Sequence, residues 1–304
     1  MRLTSLDDAL QLARTLAVQR ADAVALESIP PTSVAAMSGY GVVANDISGA
    51  SPHGPVPLGP DACWLNSGDA LPQGLDTVLE EGLVIGSLPF AEAIGAPARG
   101  EGVLRRGGDA AAGARVLAGS AHDTSVRRFV LAAARLDRTK PRALIHASPD
   151  MSAAIASMLD VFAVSEAPDI EIIADWRAPT GTQRIKGLAL EPARLTGVWQ
   201  NPHPVLTLPP RPEGQLAALM TVGCALCGLA PAPAVNAVLS SKVVSPVGFS
   251  SLVYVAFEKG LAHPIGSAGL SLADIARADG YILIPSGQEG YAAGQVVAVA
   301  PLNG

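Results

Sequence analysis

The sequence predicts a multidomain α+β protein, and four observations carry that prediction. The chain starts with an amphipathic helical pattern. It then runs through a Gly-, Pro- and Ser-rich stretch from Ile29 to about Gly100 that holds only short apolar bursts. A strand–helix–strand succession follows Lys140-Pro141, and short apolar runs broken by Gly and Pro occupy the residues from Val238 to Gly304. With 304 residues, the usual domain size of about 100–200 residues allows two to four units.

The first helix is expected within Leu6 to Leu26. Leu6, Ala9, Leu10, Ala13, Leu16 and Ala17 recur at helical spacing, with Asp7 and Asp8 near the positive end. Ile29-Pro30-Pro31 blocks helix, so the chain enters the next unit extended. Bursts at Tyr40–Val43, Cys63–Leu65 and Leu83–Ile85 then read as strands of a small β domain with no helix of normal length. Ser125 to Leu136 is Ala-rich and helical, returning the chain to a helical layer. Arg142–Ala147 is predicted as a buried strand, Met151–Val164 as a helix and Asp169–Ala174 as a second strand. The apolar run Leu216–Ala230 is expected to be a buried helix. After the Pro-rich joint Ala230-Pro231-Ala232-Pro233, a barrel or sandwich of about four to six strands is expected.

Composition excludes several function classes. Apolar residues make up 49% of the chain but aromatics only 4%, so the core is aliphatic and extensive aromatic stacking on ligands is not expected. A net charge of −6 without a basic cluster excludes a nucleic-acid footprint. The N-terminus lacks a charged region followed by an apolar one, and Leu216–Ala230 falls short of the roughly 20 residues of a membrane span. No membrane partner is expected, and the cytoplasm is the expected compartment. Three cysteines do not make a disulfide framework and are expected to be reduced. Cys224 and Cys227 share one face of the apolar run without a second ligand pair, so they read as core thiols rather than a metal site. His53, His122, His146, His203 and His263 are scattered, with no ligand spacing.

Four collinear segments carry a family resemblance. They are Ala35-Ala36-Met37-Ser38-Gly39-Tyr40-Gly41-Val42; Ser67-Gly68-Asp69-Ala70-Leu71-Pro72-Gln73-Gly74-Leu75-Asp76; Gly100-Glu101-Gly102-Val103 with Arg105-Arg106-Gly107-Gly108-Asp109; and Ala278-Asp279-Gly280-Tyr281-Ile282-Leu283-Ile284-Pro285 followed by Glu289-Gly290-Tyr291 and Gly294-Gln295-Val296-Val297. Together they resemble the MoeA/gephyrin-type molybdopterin molybdenumtransferases. The resemblance implies a helical linker domain from residues 1–40 and 100–140, a small β domain at 41–99, a shortened α/β, molybdopterin-binding-like domain at 141–233 and a C-terminal β domain at 234–304. It also implies a homodimer whose site lies between protomers, contact with a molybdoenzyme or a cofactor-maturation protein, and molybdate insertion into adenylylated molybdopterin with Mg²⁺ assisting.

Residue by residue, the resemblance assigns Ser38 and Asp150 to catalysis and Ser67, Gly68, Ser148 and Arg211 to cofactor binding; the metal ligands stay unassigned. Ser38 stands where the family carries Asp, and a neutral hydroxyl serves a metal or a proton relay less well than a carboxylate. Ser67 keeps a family hydroxyl, as an oxyanion contact or as a turn residue before Gly68. Ala147-Ser148-Pro149-Asp150 replaces the family's Thr-Gly-Asp-Glu, and Asp150 is either a helix N-cap or a ligand-binding acid. The family's Gly-Gly-x-Ser-x-Gly phosphate loop has no counterpart, and a strand–helix segment is expected to be deleted. Pro210 replaces a turn glycine, while Arg211 either faces solvent or contacts a phosphate. These departures imply impaired catalysis; the alternative is a non-catalytic cofactor-binding or docking scaffold.

Overall fold

Ser5 starts the first helix, α1 (Leu6–Thr15), by accepting the Asp8 backbone N–H on its hydroxyl at 3.2 Å. The computed structural model describes residues 3–121, 124–136 and 140–302, so Met1, Arg2 and His122 lie outside the described residues. The chain divides into two compact units, one of Met1–Asp22, Ala118–Val130 and Arg138–Gly304, the other of Ala23–Leu117 and Leu131–Asp137.

Helix α1 stops well before Leu26. Val18 donates its N–H to the Leu226 carbonyl at 2.9 Å. Arg20 is buried, its guanidinium on Asp160 at 2.8 Å and on the carbonyls of Leu159, Asp160 and Cys227. Those tertiary partners take the backbone out of a helix that the apolar spacing alone would continue.

The second unit is built from short strands. They are β1 (Ala23–Val24), β2 (Val34–Ala35), β3 (Gly39–Val42), β4 (Val56–Pro57), β5 (Cys63–Leu65), β6 (Thr77–Leu79), β7 (Val84–Ile85), β8 (Glu92–Ala93), β9 (Val103–Leu104) and β10 (Arg115–Leu117). β3 lies between β5 and β6, and β8 between β4 and β7. The helical linker domain expected from 1–40 and 100–140 carries strand pairs in part of its length, β1 with β10 and β2 with β9. Pro30, Pro31 and the positive-φ residues Gly100, Gly102, Gly107 and Gly113 deny these stretches a helix. Val42, Ile47, Leu79 and Ala93 form one small core, and Ala35, Leu65 and Val78 another.

Helix α2 (Ser125–Ala133) precedes the α/β layer of the first unit. Its sheet uses β11 (Arg142–His146), β12 (Phe162–Ala163), β13 (Ile170–Ile173) and β14 (Thr182–Lys186), then β16 (Gly197–Asn201) and β17 (His203–Thr207) after the separate strand β15 (Leu190–Glu191). The order is β12-β11-β13-β17-β16-β14, parallel from β12 to β17 and antiparallel beyond. A single crossover helix, α3 (Pro149–Met158), joins β11 to β12. It ends earlier than the apolar pattern suggests because Asp160 turns the chain at φ 50°, in the left-handed region, and gives its buried carboxylate to Arg20 and Lys140. Between β13 and β17 the chain forms antiparallel strands instead of a further helical crossover.

Pro212 opens α4 (Pro212–Ala218), which passes through one π-helical stretch, Leu219–Gly223, into α5 (Cys224–Leu226) and ends at Gly228 with φ 67°. Thr221 donates to the Ala217 carbonyl at 2.6 Å inside that stretch. These helices bury Leu219, Val222 and Leu226 with Leu6 and Ala9 of α1, Ile155 of α3 and Ile170 and Ile172 of β13.

The last region is a barrel. Strands β18 (Val235–Leu239), β20 (Ser250–Glu258), β21 (Leu261–Gly266), β22 (Gly280–Ile284) and β24 (Val296–Pro301) pair in the ring β20-β21-β18-β24-β22-β20. Leu239, Val253, Val255, Ile282, Ile284, Val297 and Val299 fill its interior. β19 (Val243–Val244) and β23 (Gly290–Tyr291) form a side ribbon, and α6 (Leu272–Ala276) links β21 to β22 behind a Ser271–Asp274 capping box.

Candidate functional site

In the second unit, two segments that are distant in sequence meet. Ser67 donates its backbone N–H to Ser38 Oγ at 3.1 Å and its hydroxyl to the Ala36 carbonyl at 3.2 Å, while Gly68 N–H reaches the Ala35 carbonyl at 2.8 Å. Ser38, Ser67 and Gly68 are exposed and lie together. The Ser38 oxygen is occupied as an acceptor, which leaves its proton to donate. The Ser67 proton is already spent on Ala36, so in this arrangement Ser67 offers an acceptor rather than an oxyanion donor. Gly68 sits at φ 92° with open space where a Cβ would be, so it is the left-handed backbone that calls for glycine here.

Beside this patch lie residues that sequence reasoning passed over. Trp64 is 42% exposed, packs edge-on against Tyr40 with ring centroids 5.1 Å apart, and donates Nε1–H to Asn66 Oδ1 at 3.3 Å. Asp69 fixes the turn by accepting the Asn66 backbone N–H at 2.8 Å.

In the first unit, the parallel strands β11, β13 and β17 lie side by side and end at one edge, where open sheets of this kind place ligands. Ser148 and Asp150 follow β11 and are exposed. The N-cap of α3 is Ser148, whose hydroxyl accepts Met151 N–H at 3.4 Å; Asp150 lies in the first turn and is not the cap. Arg211 is exposed, as its solvent-facing reading expects, but its guanidinium is engaged rather than free for an anion. Its guanidinium binds Glu213 Oε1 at 3.1 Å and the Leu270 carbonyl at 2.9 Å. Glu213 is buried; its carboxylate also accepts Gly269 N–H at 3.2 Å, and its backbone carbonyl accepts the Tyr254 hydroxyl.

The loops after β13 and β17 border a crevice of about 420 Å³, large enough for a small ligand. Trp176, Arg177, Lys186, Trp199, Thr207 and Pro210 are among its lining residues. Trp176 is 90% exposed. Thr196 Oγ1 and Trp199 Nε1, both on lining residues, are buried and have no hydrogen-bond partner among the described residues. This wall combines two indole faces, two cations and two unsatisfied polar atoms. Of these residues the sequence singled out only Pro210, because the other side chains come from several separate loops and strands. The one available signal was the presence of two of the chain's three tryptophans within this unit.

The cysteine pair lies in the core as expected. Burial pushes the Cys224 thiol up to about 12 and the Cys227 thiol further up. Among the described residues no three His, Cys, Asp or Glu side chains group as a metal site, and no helix is long and apolar enough to cross a membrane.

Residues 4–134 match the MoeA N-terminal region (domain I and II), and residues 236–302 match the MoeA C-terminal region (domain IV). No curated protein matches the chain. Among solved structures, the chain is similar to the molybdopterin biosynthesis moeA protein from Pyrococcus horikoshii OT3. The TM-score is 0.69 and the identity 18%, over 99% of this chain and 100% of that one. A molybdopterin biosynthesis moea protein from Pyrococcus horikosii gives 0.60 and 20%, over all of both chains. A molybdenum cofactor biosynthesis protein from Pyrococcus furiosus gives 0.55 and 18%, over 99% of this chain and 100% of that one.

Proposed function

Since the chain belongs to the MoeA family, we propose that it acts in molybdenum cofactor biosynthesis, taking adenylylated molybdopterin and molybdate as substrates, with impaired turnover. The observation that supports this reading is the crevice at the carboxyl ends of β13 and β17. Trp199 and Trp176 offer apolar faces to a flat pterin, and Arg177 and Lys186 offer charge to its phosphates. Ser148 and Asp150 border the same edge. Ser38, with its free hydroxyl proton, supplies one donor to an oxyanion and no carboxylate. Mg²⁺ enters with the substrate phosphates, since Mg²⁺ is commonly held by one or two carboxylates, phosphates and water. The working form is a homodimer in the cytoplasm.

The reaction tested is release of AMP, in which water opens the phosphoanhydride as molybdate enters the dithiolene. Purified protein is incubated with adenylylated molybdopterin, molybdate and Mg²⁺, with AMP release and reconstitution of an apo-molybdoenzyme as readouts. Slow AMP release with retained pterin binding is expected; Trp199→Ala lowers pterin affinity by about tenfold, the scale of one lost aromatic contact. Pterin binding that Trp199→Ala leaves unchanged removes the crevice from this reading. The second reading, a non-catalytic scaffold that binds cofactor or docks on a molybdoenzyme or maturation partner, is favoured by the engagement of Arg211 with Glu213 and by the absence of a carboxylate at Ser38. Pterin binding without any AMP release selects it.

A further inference from the structure

Three neighbouring parallel strands place a polar cluster behind the crevice wall. His146 ends β11, Glu171 lies on β13 and His203 begins β17. Glu171 pairs in register with Leu144, so its side chain leaves the same sheet face as that of His146, two residues on. His146 Nε2 is 2.7 Å from Glu171 Oε1, and His203 Nε2 is 3.6 Å from Glu171 Oε2. The other nitrogen of His146, Nδ1, meets the guanidinium of Arg177, the residue that lines the crevice. Asp175 steadies that loop by accepting Arg177 backbone N–H at 3.0 Å and lies 3.6 Å from the guanidinium.

A guanidinium can only donate. His146 Nδ1 therefore accepts, its ring proton sits on Nε2, and that proton is donated to Glu171. The contact with Arg177 exists only while the imidazole is neutral. A second proton has nowhere to go but Nδ1, where it faces a cation.

We propose that His146 is a positioning residue that holds Arg177 at the crevice wall when neutral and releases it when protonated, making anion binding in the crevice acid-sensitive. The charged and titratable groups facing His146 are Glu171 from β13, His203 from β17, and Arg177 and Asp175 from the loop after β13. Arg177 can engage only the neutral ring, through its acceptor Nδ1, whereas Glu171 accepts the Nε2 proton of either form. His203, once protonated, competes for the other Glu171 oxygen. The proposal rests on the crevice being the pterin phosphate site, but its device is testable apart from any ligand.

The test uses the full chain. Imidazole ¹⁵N–¹H spectra at about pH 8 are expected to show His146 as the neutral Nε2–H tautomer, and its acid titration is expected to share one midpoint with the Arg177 side-chain signal. With AMP as an anionic probe, affinity should fall about tenfold from pH 8 to pH 5.5 beyond any fall seen in His146→Gln, the worth of one charge-assisted hydrogen bond. The Gln side chain keeps a donor for Glu171 and an acceptor for Arg177 but does not titrate, so it should retain affinity; His146→Phe should lose it at every pH. A shared midpoint without AMP binding at any pH sinks the crevice reading and leaves the device standing. An Nδ1–H tautomer, separate midpoints, or a pH dependence in His146→Gln equal to wild type overturns the proposal.

Discussion

Single residues decide how the two patches are read, and they also mark where sequence reasoning stops. Ser38 could be singled out because one loop resembles a family loop and differs by one side chain. Its partner was not legible: a hydrogen bond from Ser67 N–H depends on two backbone segments that only folding brings together. The burial of Cys224 and Cys227 was legible, because their spacing puts both on one face of an apolar run. Burial holds both as neutral thiols, with Cys224 raised to about 12. The unfolded thiols ionise near their ordinary value of 9.0, so the stability due to their neutral burial is complete below that pH and is lost as pH rises above it. Tyr281, also raised to about 12 by burial, acts in the same direction. The urea midpoint should therefore fall between about pH 8 and pH 11, and replacing both thiols by Ala should reduce that fall. In the native protein a thiol reagent should label Cys63 alone, with Cys224 and Cys227 reacting only after unfolding.

At the scale of elements, the local patterns located strands and helix starts well and helix ends poorly. Cys63–Leu65 was expected as a strand and is one, and Arg142–Ala147 differs from β11 by one residue. Helix ends were missed where long-range partners decide them. Arg20 reaches Asp160 across 140 positions of sequence, and that pair fixes the chain after both α1 and α3. The order β12-β11-β13-β17-β16-β14 was out of reach for the same reason, as was the crevice that the order creates. Some ends are purely local. Ser271 and Asp274 close a reciprocal box at the start of α6, and the Ser271 hydroxyl, then Arg277, then the Ser271 backbone N–H hold the Asp274 carboxyl below its usual range. Ser271→Ala should cost about 1 kcal/mol in urea denaturation, as loss of such a cap generally does. Nuclear magnetic resonance titration of Asp274 in that variant should show its midpoint move upward.

For the whole molecule, the sequence conveyed the succession of units better than their composition. The change from Gly- and Pro-rich bursts to strand–helix grammar and back is written in local composition, so a multidomain α+β chain with a final β barrel or sandwich was legible. That residues 23–40 and 100–117 pair as strands was not, because β1 and β10 lie far apart in the chain and each is only two or three residues long. The barrel adds a constraint of timing. Its first strand, β18, pairs with its last, β24, with Val235 opposite Val299. A nascent chain leaving the ribosome cannot finish the ring until β24 has emerged, so this region must wait as an open sheet with the edges of β18 and β22 bare. A stop codon placed before Val296 should leave it in that state permanently, yielding aggregates on a sizing column, whereas a chain ending at Leu302 should elute as a discrete species. Messages truncated before β24 would then produce protein for clearance by proteases rather than a working copy.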